Sequence, residues 1–254
     1  VAQMGHGGLI TLADLAGYQA KWREPMTAKW RGMEILTAPL PSSGGFALIE
    51  LLEMHDALAP QFVGLAHNST QYVHLIAEME KRVFADRAEY LGDPEFVHVP
   101  IERLIDPAYI KRRAGEVQLH SISPVASVRP GLAEGMHTTH FSIIDADGNA
   151  VSNTYTLNDW YGDGVVVAGA GFLLNNEMDD FSVKPGALNM YGVVGGAANA
   201  IAPGKRMLSS MTPTIILRDG HVALVVGSPG GPTIFTSVFQ TVLNIYDFHM
   251  TAQE

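Results

Sequence analysis

The stretch that decides the fold is residues 136–145, MHTTHFSIID, in which two threonines begin an apolar run. This pattern predicts the start of a buried strand, and residues 146–149, ADGN, favour a hairpin turn after it. A threonine hydroxyl becomes a good nucleophile when the preceding peptide bond is cut, because the freed α-amine can accept its proton. That amine has a reference pKa of about 7.7–8.0. We therefore predict that Thr138 is a nucleophile, although a strand that simply begins with β-branched residues explains this segment alone more easily.

Composition excludes several functional classes. The 254 residues carry a net charge of −10, with 47% hydrophobic and 17% charged residues, which is typical of a globular chain with a sizeable core. The negative charge argues against nucleic acid and anionic membrane surfaces as partners. The absence of cysteine excludes disulfides, cysteine nucleophiles and cysteine-ligated zinc. No apolar run approaches the ~20 residues of a membrane span, and the first residues do not resemble a signal peptide.

The order of elements predicts an α+β fold, with helices first, strands from Thr138 onward, and a final helix over residues 233–246. Arg31-Gly32 and Asp219-Gly220 are expected hairpin turns. Asn68-Ser69 is the expected cap of the clearest helix. Asp86-Arg87, near its end, could form a buried or a surface ion pair, and the surface pair is the default expectation. The apolar stripe predicted for this helix is Tyr72, Val73, Ile76, Met79, Val83 and Phe84.

Three later segments could carry chemistry. Residues 228–233, SPGGPT, lie between a strand and a helix, where glycine N–H groups can bind an anion, although a plain turn is the commoner reason for such glycines. Residues 174–180, LNNEMDD, could hold a cation, although a solvated turn is commoner. Residues 206–213 place two serines in a loop. His137 and His140 flank the threonines and are expected to be structural.

Taken together, the order and spacing of these segments resemble the γ-glutamyltransferase (glutathione hydrolase) family over nearly the whole chain. The similar segments are residues 8–12 (GLITL), 41–45 (PSSGG), 85–94 (ADRAEYLGDP), 138–142 (TTHFS), 154–158 (TYTLN), 173–181 (LLNNEMDDF), 206–213 (RMLSSMTP) and 227–231 (GSPGG).

The resemblance implies an N-terminal-nucleophile hydrolase with an αββα four-layer sandwich, incomplete in this chain. A precursor would cut itself before Thr138 and give a heterodimer of a large and a small subunit. Residues 1–137 would be the C-terminal part of the large-subunit region, and residues 138–254 the N-terminal part of the small one. Both would belong to one structural domain. The family's large subunit also carries an arginine that clamps the α-carboxylate of the substrate, and this arginine is expected upstream of where the sequence begins.

The resemblance also implies catalytic roles. Thr138 would be the nucleophile and Thr156 would orient it by a hydrogen bond. The backbone N–H groups of Gly230 and Gly231 would stabilise the oxyanion. Tyr191 would belong to a loop, residues 185–196, that covers the site in some members.

The remaining residues that match the family's pattern would bind the substrate. Asn158, Glu177 and Asp180 would hold the α-amino group of a γ-glutamyl substrate, since carboxylates facing an ammonium are electrostatically favourable. Ser209 and Ser210 would hold its α-carboxylate.

The expected substrates are γ-glutamyl peptides such as glutathione, with water or an amino acid or peptide as acceptor, and without a cofactor or a metal. By resemblance, the protein is expected in the periplasm or outside the cell. Two alternatives remain. One is a related acylase, such as a glutaryl (cephalosporin) acylase or a poly-γ-glutamate depolymerase, for which an acidic ammonium site is not needed. The other is an inactive, uncleaved fragment.

Overall fold

The computed structural model describes residues 9–128, 138–188 and 194–254. The strands are β1 Met26–Trp30, β2 Met33–Thr37, β3 Thr139–Ile144, β4 Ala150–Tyr155, β5 Thr214–Arg218 and β6 His221–Val226. The α-helices are α1 Leu12–Gly17, α2 Gly44–Ala57, α3 Ala59–Phe62, α4 Thr70–Tyr90, α5 Ile101–Leu104, α6 Pro107–Gly115, α7 Val125–Val128 and α8 Ile234–Tyr246. Short 3₁₀ helices span Glu177–Asp180, Ala197–Asn199 and Gly231–Thr233. The predicted α+β class is confirmed, and within the described ranges no helix combines the length and apolar character that a bilayer crossing needs.

Two tight turns set the register of the main sheet. Arg31 and Gly32 have φ angles of 48° and 78°, and Asp219 and Gly220 have φ angles of 52° and 77°. Positive φ at both central residues matches the twist of the flanking strands, so such turns close antiparallel hairpins. Both turns lie where the sequence predicts them, and they join β1 to β2 and β5 to β6.

The main sheet has four antiparallel strands in the order β1-β2-β5-β6. The two central strands are β2 and β5. At the end of their ladder Thr37 lies opposite Thr214, and the buried hydroxyl oxygens of these residues are 3.0 Å apart. The strands β3 and β4 form a separate hairpin that packs against β5 and β6. Hydroxyls fix the contact, since Ser142 donates to the Val225 carbonyl at 3.2 Å and Ser152 to the Val226 carbonyl at 3.0 Å.

One helical layer covers the main sheet. The helix α2 is its centre and contacts α4, α6 and α8. The largest side chains of the core are inaccessible to solvent, among them Phe46 of α2 and Phe235 and Phe239 of α8. Because burial of apolar surface is the main stabilising contribution to folding, this layer contributes much of the stability.

The helix α4 buries its predicted apolar stripe except at one residue, and one prediction about its charged residues is wrong. Ser69 caps it by accepting a hydrogen bond from the Tyr72 N–H, but Val73 is half exposed rather than part of the stripe. The expected surface pair Asp86-Arg87 is wrong, because both side chains are buried. Asp86 accepts two hydrogen bonds of 2.9 Å from Arg113 of α6, while Arg87 points toward other partners described below.

The start of α2 lies very close to the loop before β5. A Cβ atom on Gly44 would lie 2.6 Å from the carbonyl oxygen of Met211 and 2.9 Å from that of Ser210. Real Cβ atoms do not approach backbone this closely, so only glycine permits the two segments to pack as they do.

We predict that Gly44→Ala lowers the free energy of unfolding by about 1–3 kcal/mol, as overpacking does in a close-packed region. Urea denaturation followed by circular dichroism measures this. Gly115→Ala is the control, because Gly115 at the end of α6 has no atom within 4 Å of the added Cβ. An unchanged urea midpoint for Gly44→Ala would contradict this prediction, because it would show that the loop before β5 can move aside without loss of stability.

Candidate active site

One cavity lies where the end of the β3–β4 hairpin meets the loop before β5 and the turn after β6. Two further cavities adjoin it, since Thr138 and Thr156 also line one of them and Arg87 and Asp180 the other. Residues far apart in sequence line the first cavity together. From the predicted site these are Thr138, Thr156, Asn158, Asp180, Ser209, Ser210 and Gly231. The remaining lining residues are Arg87, Met211, Pro232 and Ile234.

The two threonines of the site face each other across the hairpin. The ladder pairs Thr139 with Tyr155, so the same register extended by one residue sets Thr138 opposite Thr156. Residues directly opposite on neighbouring antiparallel strands have side chains on the same face. Thr156 also accepts a hydrogen bond of 2.8 Å from the Asn158 N–H, which fixes its hydroxyl oxygen near the turn that follows β4.

Asn158 is held in an uncommon backbone conformation. Its φ angle is 72°, and its side chain is buried. Asparagine tolerates this left-handed region better than most residues. Its side-chain amide donates to the carbonyl of Asn176 at 3.2 Å, and the Asn176 N–H donates to the Leu157 carbonyl at 3.1 Å. These bonds tie the turn after β4 to the segment that carries the acidic residues.

The acidic residues form the 3₁₀ helix Glu177–Asp180, and both predicted carboxylates on it are half-buried. Burial raises the pKa of Asp180 to about 6, although the positive charge of Arg87 opposes the rise. Burial and the charge of Asp180 raise the pKa of Glu177 to about 7. Carboxylates that take up protons this readily are poorly balanced by positive charge, so a bound ammonium would favour their ionised forms. Of the two, only Asp180 lines the cavity.

The two serines keep their hydroxyl protons available. Ser209 Oγ accepts from the Met211 N–H at 3.1 Å, and Ser210 Oγ accepts from Arg87 Nη2 at 3.1 Å. Among the described residues neither hydroxyl donates a hydrogen bond. A serine hydroxyl has one proton to donate, so both can donate to an anion such as a carboxylate.

Backbone hydrogen bonds hold residues 206–213, the serine loop, in place. The Ser43 N–H donates to the Ser209 carbonyl at 2.8 Å, and the Ser209 N–H donates to the Pro41 carbonyl at 2.9 Å. The loop before α2 and the loop before β5 are therefore joined in both directions.

The glycine turn follows β6. Gly230 and Gly231 have φ angles of 140° and 51°, which glycine adopts readily. In the part of the chain that the structure describes, neither of their N–H groups finds an acceptor. Two free N–H groups beside a nucleophile are suited to stabilise a developing oxyanion.

Sequence reasoning missed Asn199. Its side chain is buried, donates to the Asp180 carbonyl at 2.7 Å and accepts from the Leu208 N–H at 3.0 Å. It thus connects the acidic segment to the serine loop. Nothing local in the sequence indicates this contact, because Asn199 lies in a short 3₁₀ turn without periodicity.

Arg87 was placed wrongly rather than overlooked. It follows Val83 by four residues and Phe84 by three, so the apolar stripe of α4 already placed it on the buried face.

The remaining predictions concern Tyr191 and the two histidines that flank the threonines. Tyr191 and His137 lie outside the described residues. His140 makes polar contacts of 2.9 Å with Thr154 and 3.0 Å with Ser142, as a structural histidine does.

Comparison with known proteins identifies the family. The gamma-glutamyltranspeptidase family model matches residues 1–254. The chain belongs to this family. It is 64% identical to the glutathione hydrolase proenzyme of Pseudomonas aeruginosa, over 100% of this chain and 46% of that protein. It is 47% identical to the glutathione hydrolase proenzyme of Escherichia coli, over 98% of this chain and 43% of that protein.

A solved structure supports the fold over almost the whole chain. The cephalosporin acylase from Bacillus halodurans matches with a TM-score of 0.76 at 27% identity, over 96% of this chain and 41% of that one. The expected N-terminal-nucleophile hydrolase fold is thereby confirmed for this gamma-glutamyltranspeptidase family member. The chain spans less than half the length of these relatives, and its described residues contain one helical layer of the sandwich.

We predict that Asn199→Ala lowers the free energy of unfolding by about 1–3 kcal/mol, because it leaves two buried backbone groups without partners. Asn199→Asp should be worse, since it would bury a negative carboxylate against the oxygen of the Asp180 carbonyl, which repels it. Thermal and urea denaturation measure both variants, with Gln118→Ala at an exposed amide as control. Wild-type stability in Asn199→Ala would contradict the bridging role.

Proposed function

We propose that the complete protein hydrolyses γ-glutamyl amides such as glutathione and transfers the γ-glutamyl group to water, an amino acid or a peptide. The observation that carries this proposal is the cavity itself. It brings Thr138 together with an acidic side chain, two hydroxyl donors and a glycine turn. Membership of the gamma-glutamyltranspeptidase family, and two relatives named glutathione hydrolase proenzyme, support the same function.

The nucleophile would be made by self-cleavage of the bond between His137 and Thr138. The new α-amine of Thr138 accepts the proton of the Thr138 hydroxyl, and the oxygen attacks the γ-carbonyl carbon. Thr156 orients this hydroxyl from across the hairpin. The amine titrates near neutral pH, so it is a suitable base under ordinary conditions.

The substrate would be held at both ends of its amino acid head. Asp180 and Glu177 attract the α-ammonium, with Asn158 beside them, and the hydroxyls of Ser209 and Ser210 donate to the α-carboxylate. Charge-assisted hydrogen bonds of this kind are roughly twice as strong as neutral ones. Together they fix the γ-carbonyl at the nucleophile.

The chemistry would proceed in two steps. Attack forms a tetrahedral intermediate whose oxyanion accepts hydrogen bonds from the N–H groups of Gly230 and Gly231. The C–N bond then breaks, the leaving amine takes a proton, and a γ-glutamyl ester of Thr138 remains. Water or an acceptor amine attacks this ester and regenerates the free hydroxyl.

We also propose that cleavage yields a heterodimer rather than two separate proteins. The pieces 1–137 and 138–254 would share the main sheet, because β1 and β2 come from the first piece, β5 and β6 from the second, and the two pairs meet at the β2–β5 ladder. By family resemblance alone, we propose that this enzyme works in the periplasm or outside the cell, which cell fractionation would test.

A second candidate function is the deacylation of a glutaryl substrate. The likeness to a cephalosporin acylase over 96% of this chain favours it. A glutaryl group has no α-amine, however, so it would leave the charges of Glu177 and Asp180 without a partner. The acidic segment therefore favours a γ-glutamyl substrate.

We predict that the complete wild-type protein is cut at the bond between His137 and Thr138. The Thr138→Ala variant should stay uncut, because it lacks the attacking hydroxyl. Intact mass spectrometry gives the cleavage position. Thr139→Ala should still be cut, since only one residue can become the new N-terminus. An uncut chain that is nevertheless active would overturn the mechanism.

We further predict that Asp180→Ala raises KM for a γ-glutamyl anilide by about tenfold or more, as expected when a charged partner worth ~1.5–3 kcal/mol is lost. KM for the matching glutaryl anilide should change little. Release of the chromophore measures both. Asp147→Ala is the control, because Asp147 is exposed in the turn between β3 and β4, at the other end of the hairpin from Thr138. Equal effects on both substrates would favour the acylase.

A further inference from the structure

Among the described residues, Arg87 differs in its partners from Arg82, which is also buried, and from the partly buried Arg113. Its Nε donates to Ser43 Oγ at 2.9 Å and its Nη2 to Ser210 Oγ at 3.1 Å. No carboxylate of the described residues lies within 4.0 Å of it. By contrast, Arg82 on the same helix pairs with Glu78 at 3.0 Å, and Arg113 pairs with Asp86 at 2.9 Å.

A buried charge without a close counter-charge is costly, because desolvation is not offset by an ion pair. Burial lowers the pKa of Arg87 to about 10, which still leaves it cationic at neutral pH, and the charge of Asp180 at longer range favours this form. Arg87 also lines the catalytic cavity. An anion bound in that cavity would supply the missing counter-charge.

The hydrogen bond from Arg87 also decides what the hydroxyl of Ser210 can do. A guanidinium has donors and no acceptor, so Ser210 Oγ must accept from Arg87 and turn its own proton elsewhere. Ser43 is different, since its hydroxyl proton goes to the Ser209 carbonyl at 2.8 Å. Of the two serines that Arg87 contacts, only Ser210 keeps its proton for a ligand.

We propose that Arg87 is a positioning and specificity-determining residue for the α-carboxylate of the substrate. It orients the Ser210 hydroxyl as a donor into the cavity and places a positive charge behind it. The inference rests on the proposed function and deepens it, because it assigns a second source of carboxylate selectivity to the helix α4. It also links the two ends of substrate recognition, since the same charge opposes the rise that burial causes in the pKa of Asp180.

The test compares two substrates that differ only in the carboxylate. They are the γ-glutamyl anilide and the anilide of 4-aminobutanoate, which has the amine and the scissile bond but no α-carboxylate. In the complete, self-cleaved protein, Arg87→Gln should lower kcat/KM for the γ-glutamyl anilide by about tenfold or more, mostly through KM. The effect on the 4-aminobutanoyl anilide should be less than twofold. Arg87→Lys keeps the charge without bridging both serines, so its loss should be intermediate.

Two controls separate this role from a structural one. Arg82→Gln removes a buried arginine of the same helix that does not line the cavity. It should lower Tm but leave the ratio of kcat/KM between the two anilides unchanged. In a Ser210→Ala background, the added effect of Arg87→Gln on that ratio should shrink, because the two changes remove the same donor.

The outcomes are distinct. Equal loss with both anilides, or an undiminished effect in the Ser210→Ala background, would overturn the role of Arg87. If Arg87→Gln does not fold, the same comparison is made with Arg87→Lys, for which an unchanged ratio would overturn the proposal. A wild-type enzyme that cleaves neither anilide would overturn the proposed function itself, and Arg87 would lose its assigned ligand.

Discussion

The pairing of β2 with β5 is the constraint on which the rest of the structure depends. It joins strands that are more than 170 residues apart, as in the pair of Thr37 with Thr214, whose hydroxyls meet in the core. Beyond this ladder the chain continues into the loops of Ser42 and Ser209, which are joined by a further isolated bridge. The serine loop is therefore fixed by the same contact that fixes the sheet. Because Gly44 starts α2 against this loop, the helical layer is set by it as well.

The segments that line the cavity are connected by a small number of buried polar side chains. Asn199 connects the acidic 3₁₀ helix to the serine loop, and Arg87 connects α4 to Ser43 and Ser210. Each connection runs through buried polar groups, whose hydrogen bonds are strong where water is excluded. The same exclusion of water raises the pKa of Glu177 and Asp180. Rigid placement of the site and readiness to bind a cation thus have one physical cause.

The sequence predicts features that depend on near neighbours. The turns at Arg31-Gly32 and Asp219-Gly220 follow from glycine's tolerance of positive φ, and most of the stripe of α4 follows from helical period. The family resemblance selected residues that the structure brings to one cavity, apart from Glu177 and Gly230 beside it and Tyr191 outside the described residues. Most failures concern long-range contacts, but the one at Arg87 does not, because the helical period of α4 places this residue on the buried face. A default rule for charged pairs put Asp86-Arg87 at the surface, and no local pattern reports that Asn199 meets Leu208 or that burial shifts a carboxylate pKa.

The pairing of β2 with β5 in one sheet has a consequence for how a cut molecule would behave. Before cleavage at Thr138, folding is a first-order process of one chain, and the connecting segment keeps the two halves at a high effective concentration. After the proposed cleavage, the native state would keep the same ladder and the same helical layer, so it would lose no contact between β2 and β5. Unfolding, however, would release two separate chains, and refolding would become second-order and slower on dilution. Cleavage would thereby change the molecularity of folding without changing the fold.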